Sequence, residues 1–335
     1  MVRIADFLHP RFRYQQVGKI HAVRLALAFF TSHLIATTLS EPYSVWMTVT
    51  VMMVMSNLPH TGSILQKGKQ RFIGTTLGAL GGFAVIATAR YNPVLAGMLS
   101  VALIAFGGYL AIGRGGYIAQ MICLTVVIVA SSGTMDVGIW RMANVYAGVA
   151  LSALFATLFP ERARDHWYFM LEETIEGLNW LYREFARLQT YEARLGEGLR
   201  QRQGKMRTLV AATAREAGVE AGQLRLILSQ LHRVQISVEF LASEANDRGR
   251  EPTEAHADEA RVIAALRRLA TMMDLPIGDD IPLLGGAHSA QQNWLYGTLA
   301  SHLEELEKTL TPVLPHLRGQ NARRLAAASW PPANR

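Results

Sequence analysis

Between His21 and Phe159 the chain runs through six apolar stretches separated only by short polar or glycine-rich turns. An α-helix needs about 17 to 25 mostly apolar residues to cross roughly 30 Å of hydrocarbon, because every backbone N–H and C=O must find its partner inside the helix. The pattern predicts six transmembrane helices near 20–39, 43–58, 71–89, 93–112, 115–132 and 138–159. From Glu161 onward the period changes. Leu171, Ile175, Leu178, Tyr182 and Phe185 recur three and four apart, as do Leu224, Ile227, Leu228, Leu231, Val234, Val238 and Leu241. Val262, Leu266 and Leu269 form a third stripe, and Leu299, Leu303, Leu306 and Leu310 a fourth. Such stripes mark amphipathic helices turned toward a common core. The expected class is an all-α membrane protein with a cytoplasmic N-terminal segment (1–19), a six-helix membrane domain (20–160), a cytoplasmic helical bundle (161–318) and a loose tail (319–335). Polar loops are expected around 243–256 and 275–290.

A weak repeat runs through the membrane half. The third span opens Arg71-Phe72-Ile73-Gly74-Thr75-Thr76-Leu77-Gly78, and the sixth opens Arg141-Met142-Ala143-Asn144-Val145-Tyr146-Ala147-Gly148, with seventy residues between the two arginines. Three helices per copy is an odd number, so the second copy would enter the membrane from the other side, a 3+3 inverted repeat of the kind common among transporters.

Charge sharpens this division. Residues 1–160 carry 11 Lys or Arg and 3 Asp or Glu, and the remainder carries 22 and 23. Basic residues flank the spans on one side: Arg3, Arg11, Arg13, Lys19, Lys67, Lys69, Arg71, Arg114, Arg162 and Arg164 against Arg90 and Arg141. The positive-inside rule then puts both termini in the cytoplasm. A net charge of +7 would ordinarily raise nucleic acid as a partner, but the excess sits at membrane borders, where it meets lipid headgroups. No nucleic-acid partner is expected. The single cysteine, Cys123, excludes an intrachain disulfide and a thiolate metal cluster. The N-terminal segment is too polar for a secretory core, so no cleavage is expected.

Candidate functional residues follow from cost. An arginine in hydrocarbon is tolerated where it meets a wet cavity, a carboxylate or the interface. Arg71 and Arg141 are candidates to guard the cytoplasmic and outer mouths of an anion path, against snorkelling to headgroups. Arg24 shares a helix face with Thr31 and Thr38, a stripe too polar for lipid that should face a pore or a hydrogen-bonded seam. The second span holds Trp46 and Thr50 and ends Asn57-Leu58-Pro59-His60-Thr61-Gly62, either a broken helix at a binding site or an ordinary exit loop. Asn144 lies on the small face of the sixth span. Gly74, Gly78, Gly82 and Gly148 are read as helix-packing positions, and Met47, Met52, Met53 and Met55 as lipid or core filling. His33, Glu41 and Asp136 are the sparse candidates for proton coupling. No HExxH, GxSxG, P-loop or paired-cysteine spacing is present, so no enzyme, cofactor or metal is expected.

The run His21-Ala22-Val23-Arg24-Leu25-Ala26-Leu27-Ala28-Phe29, then Trp46, then Lys67 and Arg71-x-x-Gly74-Thr75-x-x-Gly78-x-x-x-Gly82, resembles the fusaric acid resistance or aromatic acid exporter family, FUSC. The sixth helix, from Arg141 to Gly148 and on to Pro160, is similar to that family's closing membrane segment. The resemblance covers about 20–160. It implies export of aromatic carboxylic acids across a bacterial inner membrane, with coupling to the proton gradient. Many members carry two such units, so this chain resembles a short, single-unit branch that a homodimer would complete. The plan also resembles, more distantly, the plant aluminium-activated malate transporters. Three readings follow: a homodimeric inner-membrane exporter of small organic anions, a passive dimeric anion channel, and a membrane-anchored interaction protein without transport activity.

Overall fold

The computed structural model describes residues 10–39, 43–113, 115–188, 193–245, 257–275 and 290–326. These residues form helices joined by turns, with no strand among them. They divide into two compact units, one of Gln15–Arg162 and one of Met1–Tyr14 with Ala163–Arg335.

The first unit holds α2 (Val17–Leu39), α3 (Val45–Met55), α4 (Thr61–Ala89), α5 (Pro93–Ala111), α6 (Gly116–Ser132) and α7 (Met135–Leu158). Each predicted apolar stretch is one helix, but the lengths differ from expectation. Among the described residues four helices are long and apolar enough to cross a membrane, within α2, α4, α5 and α7, whereas α3 and α6 are shorter apolar helices. The 11 residues of α3 extend only about 17 Å at 1.5 Å per residue, well short of the hydrocarbon thickness. Its end has a local cause: Pro59 offers no N–H and pushes Leu58 out of the helical region, so the chain breaks after Met55 and restarts at Thr61. The third helix accordingly starts earlier than predicted, and Lys67, Lys69 and Arg71 lie inside it. At 29 residues α4 is about 44 Å long, enough for its basic first turns to extend past the apolar layer.

The turns carry their own signals. Asn92 caps α5, its Oδ1 accepting from the N–H groups of Val94 (2.9 Å) and Leu95 (3.1 Å), with Pro93 in the first turn. Gly133, at φ +70°, ends α6 in the left-handed conformation.

Within this unit α4 packs on α5, α6 and α7, and α7 packs on α2, α3 and α4. The small residues set these contacts. A Cβ at Gly74 would lie 2.6 Å from the Met121 Cβ, one at Gly78 2.6 Å from the Thr125 Cβ and 2.7 Å from the Ile122 carbonyl oxygen, and one at Gly82 2.6 Å from the Val129 Cβ. At Gly148 the new atom would lie 2.6 Å from the Met47 carbonyl oxygen and 2.7 Å from the Thr50 Cβ. All four are places where two helix backbones approach closely.

The second unit holds α1 (Pro10–Gln15, continuing one residue past the division), α8 (Ala163–Leu188), α9 (Ala193–Ala217), α10 (Ala221–Ala245), α11 (Ala257–Met272) and α12 (Ala290–Ala326). All residues of the four predicted stripes lie in one buried core. Helix α9 supplies Leu199, Met206 and Val210 to that core, yet it has too few apolar residues to announce itself in the pattern. Its Gln203 is buried and donates to Gln235 Oε1 at 3.0 Å, and Gln235 in turn donates to the Gly196 carbonyl at 2.8 Å, so the seam is hydrogen-bonded. Arg11 and Tyr14 pack with this unit: Arg11 pairs with Glu172 at 2.9 Å, Tyr14 donates to Glu173 at 3.0 Å, and the Tyr14 ring meets His166 and Phe169. Helix α12 continues past Gly319 to Ala326 and accommodates Pro312 and Pro315.

Candidate anion site

Four helices bring the most unusual side chains of the membrane unit together. Arg71 on α4 is fully buried and Arg141 on α7 is 1% exposed. The Arg71 Nε donates to the Thr50 hydroxyl at 3.1 Å, and its Nη1 reaches the sulfur atoms of Met53 and Met121, each at 3.1 Å. The Arg141 guanidinium lies over the Trp46 ring, 3.7 Å from its centroid. Trp46 and Thr50 are one turn apart on α3, where the Thr50 hydroxyl donates to the Trp46 carbonyl at 2.7 Å. The two arginines therefore converge on one short helix and lie within electrostatic reach of each other. This replaces the expectation of one arginine at each mouth: packing of α4 on α7 outweighs their separation in sequence.

Their polar needs are incompletely met. Arg71 Nη2 and both Nε and Nη1 of Arg141 are buried without a hydrogen-bond partner. Among the described residues no carboxylate pairs with either guanidinium. A buried charge is ordinarily paired, because desolvating it costs several kcal/mol even after relaxation. Sulfur is a weak acceptor, and an aromatic ring contributes only about 0.5–2 kcal/mol to a cation above it. Two buried cations facing weak partners form a site that an anion would complete.

The site is also built twice. Arg71 meets Met121 on α6, and Arg141 meets Trp46 on α3. Gly148 on α7 rests against Met47 and Thr50 of α3, and Gly78 on α4 rests against Ile122 and Thr125 of α6, with the same three-residue step. The contacts of α4 with α5 and α6 thus correspond to those of α7 with α2 and α3. Equivalent positions of the two copies also meet: Thr76 and Tyr146 share a 2.6 Å hydrogen bond. A two-fold relation between the copies would bring a residue onto its own equivalent in this way. The two short helices, α3 and α6, occupy corresponding places in the two copies.

Other candidates lie elsewhere. Arg24 is buried, but its Nη1 donates to the Phe159 carbonyl (3.1 Å) and its Nη2 to the Pro59 carbonyl (2.6 Å), with His21 Nδ1 3.1 Å away. It ties α2 to the α3–α4 break and to the end of α7. Beside it the Thr61 hydroxyl donates to the Ala156 carbonyl at 2.9 Å, and the Glu161 N–H donates to the Thr61 oxygen at 3.1 Å. His60 is buried at this break, and Asn57 is exposed. Thr31 and Thr38 donate to the carbonyls of Leu27 and Leu34 on their own helix, both at 2.8 Å, which satisfies each hydroxyl locally. Asn144 donates to the Trp140 carbonyl at 2.9 Å. His33 and Asp136 are exposed, and Glu41 lies outside the described residues. Met121 and Thr125 were not singled out by sequence, and Met53 was read there as lipid or core filling, whereas its sulfur lies 3.1 Å from Arg71 Nη1; only the spacing of Met121 from the glycines across the bundle could have pointed to it, and that spacing is tertiary.

Apolar helices, four of them among the described residues long and apolar enough to cross a membrane, around a buried cationic centre are the make-up of a multi-pass membrane protein. Residues 27–164 match the family described as fusaric acid resistance protein-like, the family that the order of the motifs pointed to. The chain is also similar to the inner membrane protein YeeA of Escherichia coli (strain K12), with 29% identity over 216 residues. That similarity covers 62% of this chain and 60% of the relative's length.

Proposed function

We propose that the protein exports small organic anions, aromatic carboxylates foremost, across a bacterial inner membrane as a homodimer. The observation that carries this reading is the pair of buried guanidiniums, Arg71 and Arg141, set against Trp46 and two methionine sulfurs with no carboxylate paired to either among the described residues. Arginine stays charged and offers several N–H donors in a fixed plane, so a carboxylate fits it. Trp46, Met53 and Met121 supply polarisable surface suited to an aromatic ring. The doubled architecture supports a binding site between two inverted three-helix repeats, which rock about it to face each side in turn. In this reading all six apolar helices belong to the membrane domain, with both termini and the helical bundle on the cytoplasmic side, the side that the basic residues favour. Export answers a physical problem: a protonated acid leaks inward through lipid, ionises, and cannot recross as the anion.

A passive anion channel is the second reading. It is favoured by the exposed placement of His33 and Asp136, which leaves no titratable relay drawn to the arginines among the described residues. With a negative cytoplasm an exported anion gains about 2.3 kcal/mol per 100 mV, enough to drive export without protons.

Purified protein in liposomes, assayed for aromatic carboxylate flux with and without an imposed pH gradient, tests these readings. Flux that accelerates several-fold with the gradient supports coupled export, and flux that follows membrane potential alone supports the channel. Absence of flux under both conditions leaves a membrane-anchored interaction protein.

A further inference from the structure

Two buried like charges at one site raise a question of number as well as sign. A single carboxylate can neutralise one guanidinium; even where its two oxygens bridge both arginines, one positive charge stays buried without a counter-charge. Arg71 retains Nη2 and Arg141 retains Nε and Nη1 without partners, and the groups that the two guanidiniums touch are a hydroxyl, two thioethers and an indole face. None of these carries negative charge.

Each arginine is held by the equivalent neighbour from the other copy, Arg71 against Met121 and Arg141 against Trp46. The second-helix hydroxyls differ, however. Thr50 accepts from Arg71, whereas its counterpart Thr125 is fully buried and its hydroxyl has no partner. Arg141 therefore keeps the donors that Arg71 gives to Thr50. The two copies present two cationic groups across a local two-fold relation, and a ligand with two anionic ends satisfies both at once.

We infer that the site preferentially takes a dianion, a small dicarboxylate whose two charged ends are shared between Arg71 and Arg141. This rests on the reading of the arginine pair as an anion site. A dianion supplies the two negative charges that the burial of two guanidiniums calls for, and opposite charges in a low-dielectric interior interact far more strongly than in water.

The test uses the full chain, purified in detergent and examined by isothermal titration calorimetry at pH 7.5. The ligands are benzoate, monomethyl terephthalate, and the three isomeric benzenedicarboxylates. Monomethyl terephthalate has the size of terephthalate and one charge fewer, so it separates charge from bulk. At least one dicarboxylate should bind about tenfold or more tightly than benzoate and the monoester, a change easily read as a ratio of Kd values. Arg71→Gln and Arg141→Gln should each bring that dicarboxylate down to the monoanion level, and Arg→Lys at either position should restore part of the preference. The lysine variants also report on folding, since they keep the charge. Equal binding of mono- and dianions in the parent, with that binding still lost in the glutamine variants, overturns the dianion inference and leaves the anion site standing. Failure of every anion to bind overturns both. A gain in dicarboxylate affinity on Glu41→Gln would mean that this carboxylate already neutralises one guanidinium, and would likewise overturn the inference.

Discussion

Arg24 and Arg141 are both buried arginines on apolar helices, and their surroundings assign them different work. Arg24 spends its donors on the carbonyls of Phe159 and Pro59, where the chain leaves α7 and breaks before α4. Arg24→Met should lower the thermal midpoint in detergent by an amount equivalent to roughly 1.5–3 kcal/mol, the range for hydrogen bonds to a charged group, while leaving anion affinity close to parental. Arg141→Gln should do the reverse: flux of an aromatic carboxylate should fall about tenfold or more with the midpoint little changed, since a glutamine amide removes an uncompensated charge. Flux at the parental rate in Arg71→Gln and Arg141→Gln together would show these arginines to be structural. In the second unit the Glu172 carboxyl is pushed above its ordinary range by burial, in spite of Arg11 at 2.9 Å, with Glu176 and Glu173 also raising it. The folded chain then holds that proton at a pH where the unfolded chain has released it, so stability is present below the unfolded pKa and declines as pH rises toward and through the folded value. Thermal midpoints measured from about pH 5 to 7, the range above an ordinary glutamate pKa, should fall less in Glu172→Gln than in the parent.

At the level of elements, close approach dominates. Gly148 lets α7 lie against the backbone of α3 at Met47, and Gly78 does the same for α4 against α6 at Ile122. Alanine at either position drives a Cβ into a backbone oxygen, so Gly148→Ala and Gly78→Ala should each cost about 1–3 kcal/mol, the usual range for overpacking. Gly108→Ala on α5 meets nothing within 4 Å and serves as the control, expected to be neutral or slightly stabilising. Denaturant or thermal unfolding of the three variants checks this directly. A tolerated Gly148→Ala would mean that α3 can slide, and with it Trp46 and Thr50. Helix α3 is the element on which the candidate site depends most: it is short, it meets both arginines, and Pro59 ends it.

For the whole molecule, the prediction is topological and stoichiometric. On the proposed six-span topology the basic residues fall mostly on one side, so reporter fusions at the C-terminus and near Glu41 should report opposite compartments. Mass measurement in nanodiscs should give a dimer; a strictly monomeric protein that still moves anions would refute that stoichiometry. Although the two units are joined by chain at two places, α1 to α2 and α7 to α8, the polar contacts of Arg11 and Tyr14 bind the N-terminal segment to the second unit.

Local chemistry decided much of this in advance. Apolar run length located all six membrane-unit helices, because backbone hydrogen bonding in lipid leaves a helix little alternative. The three-and-four spacing of leucines located α8, α10, α11 and α12, because burial on one face imposes that period, and Arg71, Arg141 and the glycines stood out because each is costly in an apolar helix unless something nearby justifies it. Run length could not tell that α3 stops at Met55, since Ser56 to Leu58 are as compatible with a helix as with a turn until Pro59 and the packing of α7 are considered together. The near-polar α9 was illegible for a similar reason: its buried Gln203 is tolerable only because Gln235, on another helix, accepts from it. Most of all, the meeting of Arg71 with Arg141 belongs to tertiary structure alone. Seventy residues separate them in the chain, and only the backbone approaches at Gly78 and Gly148 bring their helices onto one short partner, where two charges come to share a single site.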